Sequence, residues 1–252
     1  MCRHLAHLGP PRTLAEVLLE PPHGLLRQSY APADMRGGGT INADGFGAGW
    51  YPADSAEPAR IRSARPLWAD TSFAALAAAT RSGAVLGAVR SATVGMPVVE
   101  TAAAPFTDGR WLFSHNGVVR GWPGSLAGAA ARLPVTDLLT LDAPTDSAIL
   151  WALVRARLRT GEDPADVLAD TCASVERDAP DSRLNLLLTD GATIWATAWR
   201  HALAVRTHDR DGGEATVASE PTHEFPDWTQ VPDRYLVVAR PGHHDLYPLT
   251  GP

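Results

Sequence analysis

Residues 1–8, Met1-Cys2-Arg3-His4-Leu5-Ala6-His7-Leu8, place a cysteine second in the chain and lead at once into a short strand over residues 3–8. Methionine aminopeptidases remove an initiator methionine when the next side chain is small, so Cys2 can be left carrying both a thiol and a free α-amine. An α-amine titrates near about 7.7–8, so at neutral pH part of it is unprotonated and serves as a base for an adjacent nucleophile. Here thiol and amine belong to one residue, and no separate histidine is required. The competing reading makes Cys2 a small apolar residue at the start of a strand, and position alone leaves both open. Cys172 is the contrast: it sits within a helical pattern among Val167, Leu168 and Val175, where a buried, inert thiol is expected.

The chain has 252 residues, 45% of them apolar and 20% charged, which suits a globular protein with one core or two closely packed ones. Its formal charge of −6, with no local Lys/Arg run, offers no footprint for nucleic acid. The N-terminal residues lack the basic and apolar regions of a secretory signal, and no apolar stretch approaches the ~18 residues that span a bilayer. A cytoplasmic location without membrane contact is expected. There Cys2 and Cys172 stay reduced.

Working outward, Thr13 caps a helix over 14–19 that stops before Pro21-Pro22, and residues 32–45, with Gly37-Gly38-Gly39 and Asn42, read as loop. Residues 45–51 (GFGAGWY) suit a strand that another backbone or a ligand approaches closely. A helix over 72–80 is closed near Gly83, and residues 84–93 and 110–115 are buried strands. Thr145 opens a helix ending at Gly161, a second follows over 163–177, and Asp190-Gly191 joins a hairpin. Further strands are expected at 214–219 and 234–240. The pattern is one α+β unit with strands at both ends.

Thiol attack on an amide needs an oxyanion hole and groups that align the substrate. The Asn116 side chain and the Gly117 N–H, at the end of a buried strand, supply such a hole; the same dipeptide also makes an ordinary turn. Arg90 closes an apolar strand and needs an anion, either a protein carboxylate or a substrate. Asp146 lies in the first turn of its helix, where it either complements the dipole or binds a substrate ammonium.

Cys2, Arg90-Ser91-Ala92-Thr93, His115-Asn116-Gly117 and Thr145-Asp146 occur in the order found in class II glutamine amidotransferases, and the chain resembles that family. Asn42-Ala43-Asp44-Gly45-Phe46-Gly47 resembles another of its stretches. The resemblance implies the four-layer αββα sandwich of N-terminal-nucleophile hydrolases, as a single domain over residues 2–252 once Met1 is removed. It also implies that Cys2 attacks a γ-glutamyl carbonyl while Asn116 and Gly117 hold the oxyanion. Arg90 would pair with the α-carboxylate and Asp146 with the α-ammonium, with Thr93 and His115 among the substrate-binding residues.

Residues 1–51, Arg183 to Gly191 (RLNLLLTDG) and Ala218-Ser219-Glu220-Pro221 more specifically resemble the ergothioneine-pathway hydrolases of actinobacteria. That family removes glutamate from γ-glutamyl-hercynylcysteine sulfoxide without metal or cofactor, so a small-molecule γ-glutamyl substrate is expected. The alternative is a glutaminase subunit that passes ammonia to a separate synthase. No synthase domain, phosphate loop or dinucleotide fingerprint is expected in the chain. Tryptophans number eight, and their faces suit a trimethylammonium group, although Trp50, Trp111 and Trp122, near the motifs in sequence, each read first as core, and no cage is assigned. The nine histidines show no metal-ligand spacing, and no metal is expected.

Overall fold

The structure is a computed structural model that describes residues 2–36, 41–224 and 226–249. Met1 and the Gly37-Gly38-Gly39 run of the expected loop lie outside the described residues. The strands are β1 (Arg3–Thr13), β2 (Phe46–Trp50), β3 (Ala59–Ser63), β4 (Arg81–Val89), β5 (Phe106–Asp108), β6 (Trp111–Val118), β7 (Arg183–Thr189), β8 (Ile194–Ala198), β9 (Ala204–His208), β10 (Glu214–Ala218), β11 (Thr229–Gln230), β12 (Tyr235–Arg240) and β13 (His243–Pro248). The α-helices are α1 (Leu14–Leu18), α2 (Leu25–Gln28), α3 (Thr71–Ala79), α4 (Ala127–Ala130), α5 (Val135–Leu139), α6 (Asp146–Leu158) and α7 (Pro164–Asp178).

Two antiparallel sheets form, one ordered β11-β9-β10-β1-β4-β2-β3 and the other β13-β12-β8-β7-β6-β5. Side-chain alternation sorts each strand onto two faces. Ala6 and Leu8 of β1, Ala84 and Leu86 of β4, Leu112 of β6, Leu187 of β7 and Ala196 of β8 meet between the sheets. The opposite face of the first sheet, with Leu5, Phe46, Val85 and Val89, packs on Leu14, Leu18, Leu25 and Phe73 of α1–α3. The outer face of the second sheet, with Phe113, Leu186 and Leu188, packs on Leu150, Trp151, Val167, Leu168 and Cys172 of α6 and α7. Helix, sheet, sheet, helix: the expected four-layer αββα sandwich is what the chain builds.

Local chemistry explains the element ends. Thr13 and Glu16 exchange bonds as a capping box at α1. Thr145 caps α6 by accepting from the Ala148 N–H at 3.2 Å, and Asp163 caps α7 ahead of Pro164 at its start. The Asp190-Gly191 hairpin forms, with the Asp190 carboxylate accepting from the Ala192 and Thr193 N–H groups.

Two expectations are corrected. β1 does not end at Leu8 but runs on to Thr13, with a register shift against β4 between Leu8 and Arg12. Pro10 and Pro11 have no N–H to give the ladder, so the strand slips there and then resumes. Gly83 is not a helix stop: α3 ends at Ala79, and Gly83 is already within β4.

Candidate active site

β1 lies in the interior of the first sheet, and its even-numbered side chains face the second one. His4 therefore meets Ser114 of β6, its Nδ1 lying 3.1 Å from Ser114 Oγ. Cys2, one step before β1, opens into a pocket that it lines together with Arg90, Ala104, Phe106, Ser114 and Ser147. Its thiol points to the Ser91 carbonyl at 3.8 Å. The other thiol is of a different kind: Cys172 is buried against Leu184 and Thr197, and burial pushes its pKa up to about 12.

Arg90 lines the same pocket. Its side chain is only 8% exposed, and its Nη1 donates to the carbonyls of Pro97 at 2.8 Å and Asp44 at 3.5 Å. Among the described residues no carboxylate lies within ion-pair distance of it. A buried guanidinium so placed, facing the pocket beside a thiol, keeps donors for an incoming anion. The Asn42–Gly47 stretch holds it there: Arg90 N donates to Gly45 O at 2.8 Å, Asp44 N donates to Arg90 O at 2.9 Å, and Asp44 Oδ2 accepts from Ala92 N. A Cβ at Gly47 would collide with the Ala104 carbonyl, so this glycine admits a neighbouring backbone as expected, while Gly49 makes room for the Leu112 side chain.

On β6, Asn116 is fully buried and turned toward the first sheet, where its Nδ2 donates to Ser219 Oγ at 3.0 Å. Its Oδ1 has no hydrogen-bond partner among the described residues. Next to it, a Cβ on Gly117 would collide with the Arg183 carbonyl of β7, so only glycine fits. Asp146 is buried at the start of α6. Its Oδ2 accepts from the Val119 N–H at 3.0 Å and its Oδ1 from the Ser147 N–H at 2.8 Å, so it fastens the helix to the end of β6. The cap itself is Thr145.

Of the two remaining candidates, His115 lines the Cys2 pocket and Thr93 does not. His115 has both ring nitrogens engaged, Nδ1 with Ser147 Oγ and Nε2 with the Arg183 carbonyl, each at 3.0 Å. Nε2 must donate to that carbonyl, leaving Nδ1 to accept, so His115 ties β6 to α6 and β7 rather than offering a free nitrogen. Thr93 is exposed on the loop after β4, its carbonyl taken by the Met96 N–H. Trp50, Trp111 and Trp122 pack against the two outer cores.

Residues that received no role from the sequence sit directly behind Cys2. Arg3 is completely buried. Its Nη1 donates to the Cys2 carbonyl at 2.9 Å, its Nη2 to the Asp34 carbonyl, and its Nε pairs with Glu220 Oε1 at 2.5 Å. Burial pushes the Glu220 carboxyl upward, but hydrogen bonds from His23 and Arg3, with the charge of Arg3, outweigh it and bring its pKa down to about 2. Burial, the largest cause, lowers the pKa of His4 well below its ordinary value, and the neighbouring Arg3 guanidinium adds to it. The one available signal was the Ala218-Ser219-Glu220-Pro221 stretch, which carries polar residues at the end of an apolar strand.

Among the described residues there is no group of three or more His, Cys, Asp or Glu side chains able to hold a metal ion, and no helix long and apolar enough to cross a membrane.

The chain is 46% identical to a γ-glutamyl-hercynylcysteine sulfoxide hydrolase of Mycolicibacterium smegmatis, over 99% of this chain and 100% of the relative. It is 44% identical to the protein of the same name from Mycobacterium tuberculosis, over 94% of this chain and 92% of that one. A solved glutamine aminotransferase class-II domain protein from Silicibacter pomeroyi shares the fold, with a TM-score of 0.70 at 24% identity over 99% of this chain and 100% of that one. A family profile described as glutamine amidotransferases class-II matches residues 26–240, which span the strands bearing Arg90, Asn116 and Gly117 and the helix opened by Asp146. The chain belongs to the class II glutamine amidotransferase family.

Proposed function

We propose that this protein is an amidohydrolase that cleaves the γ-glutamyl amide of γ-glutamyl-hercynylcysteine sulfoxide, releasing glutamate and hercynylcysteine sulfoxide. The observation that carries the reading is the pairing, in one pocket, of the Cys2 thiol with a buried Arg90 whose partners among the described residues are carbonyls. Arg90 receives the α-carboxylate of the glutamyl group, and Asp146 its α-ammonium.

Once Met1 is removed, the α-amine of Cys2 takes the thiol proton and the sulfur attacks the γ-carbonyl carbon. The oxyanion is held by the Gly117 N–H and the Asn116 amide. A half-turn of that amide gives the Ser219 hydroxyl the unpartnered Oδ1 to donate to and frees Nδ2 for the oxyanion. The intermediate collapses by breaking the C–N bond, and the Cys2 ammonium protonates the departing amine. Water, deprotonated by the same amine, then attacks the thioester carbon. Glutamate leaves and the thiol is restored. Every step uses groups of this chain and water.

The names of both mycobacterial relatives, at 46% and 44% identity, support a hydrolase of this substrate over an ammonia-supplying subunit. The test is glutamate release from γ-glutamyl-hercynylcysteine sulfoxide and from glutamine, for wild type and Cys2→Ala. Fast turnover of the sulfoxide alone, lost in Cys2→Ala, is expected. Equal rates on the two substrates, or an active Cys2→Ala, overturns the reading.

A further inference from the structure

We infer that Ser219 and Glu220 form a positioning turn that sets both halves of the catalytic apparatus: Glu220, through Arg3, fixes the backbone of the nucleophile, and Ser219 fixes the oxyanion amide. The inference rests on the Cys2 reading above. Cys2 precedes β1, so the sheet ladder does not hold its carbonyl; the Arg3 guanidinium does, at 2.9 Å. That guanidinium is itself fixed by three acceptors, the Cys2 and Asp34 carbonyls and the Glu220 carboxylate. Glu220, 3% exposed, is locked in turn by His23 Nε2 at 2.6 Å and the Ala33 N–H at 2.7 Å. A planar fork meeting three acceptors has one orientation, so the Cys2 carbonyl, and with it the direction of the thiol and α-amine, is defined from behind.

Ser219 does the same for the other half. It extends the β1–β10 pairing by one residue: its N–H donates to the His4 carbonyl at 2.9 Å and its Oγ accepts from the His4 N–H at 3.0 Å. The same Oγ reaches across the gap between the sheets to the Asn116 amide at 3.0 Å. Two adjacent residues of the first sheet thus register the nucleophile strand against the oxyanion donor of the second. Neither touches the pocket: both act through another residue.

The experiment compares wild type, Ser219→Ala, Glu220→Gln and Arg3→Lys, each verified as folded by its thermal melt. The readouts are kcat and KM for the γ-glutamyl substrate and the rate at which iodoacetamide alkylates Cys2. Glu220→Gln and Arg3→Lys are expected to lower kcat about tenfold or more while KM moves less than about threefold, because the glutamyl clamp sits on other elements. Arg3→Lys keeps the charge opposite Glu220 and so remains informative if Glu220→Gln does not fold. Ser219→Ala is expected to lower kcat by a similar factor yet leave alkylation at the wild-type rate, since alkylation forms no oxyanion. Folded variants with wild-type kcat, or variants whose KM rises while kcat is kept, overturn the inference. An inactive wild type instead strikes at the proposed function, which separates the two failures.

Discussion

The seam between the two sheets has two ends built on opposite principles. At one end β1 contributes Ala6 and Leu8, which pack with Leu86, Leu112 and Leu187 in an apolar cluster. At the other the same face of the chain carries His4 and Cys2, met by Ser114, Asn116 and Ser219. The polar end leaves His4 Nε2, His201 Nε2 and Asn116 Oδ1 buried without a partner among the described residues. Each such atom costs on the order of 1–3 kcal/mol. A seam apolar throughout would be more stable, so the difference teaches that the apolar end supports a costly constellation at the other.

The comparison breaks if stability and activity do not separate along the seam. The largest effect is expected from Cys2→Ala, which should lower turnover by about four orders of magnitude or more while leaving the melting temperature within a degree or two. A large drop in melting temperature would make Cys2 part of the core after all. Next, Asn116→Ala should reduce kcat about 10²–10³-fold, read in steady-state kinetics, with KM little changed. The apolar end should answer in the opposite currency. Leu112→Ala, at a fully buried position, should cost about 2–5 kcal/mol in denaturant titration and leave kcat of the folded fraction nearly intact.

The smallest effect concerns pH. Burial, then the charges of Arg3 and Arg183, hold His201 down to about 4 from an ordinary 6.5. Below pH 6.5 the unfolded chain therefore binds a proton that the folded one refuses. The stability from keeping His201 neutral is complete above about pH 6.5 and declines toward pH 4, by about 2 kcal/mol at pH 5. Denaturant midpoints at pH 7.5 and 5, for wild type and His201→Gln, measure it: the substitution should flatten the slope, and an unchanged slope assigns the acid sensitivity elsewhere.

What could be read from the sequence followed the strength of local signals. Thr13, Thr145, Asp163-Pro164 and Asp190-Gly191 announce their elements because a cap or turn is written in two to four residues. β3, β5, β9, β11 and β13 went unread: most are short or lie near a sheet edge, and β13 is largely exposed, so hydrophobic alternation is weak there. Among the site candidates, Cys2 and Arg90, which line one pocket, could be picked out as residue types near strand ends. Arg3 could not, because its meaning depends on Glu220, 217 positions away, and only the folded sheet brings the two together. The partners of His115 were hidden for the same reason: the Arg183 carbonyl that its Nε2 meets arrives from another strand.

The placement of β1 has a consequence for how the protein comes into being. Its neighbours are β4 and β10, so the strand that follows Cys2 is completed only by residues 215–218. During synthesis residues 5–8 must wait, unpaired along one side, until residues 215–218 have followed. Arg3 waits longer still for Glu220. The thiol of Cys2, proposed above as the nucleophile, is thus made long before the residues that surround it in the folded sheet, and a nascent chain carries it for most of its synthesis without Ser219 and Glu220 behind it.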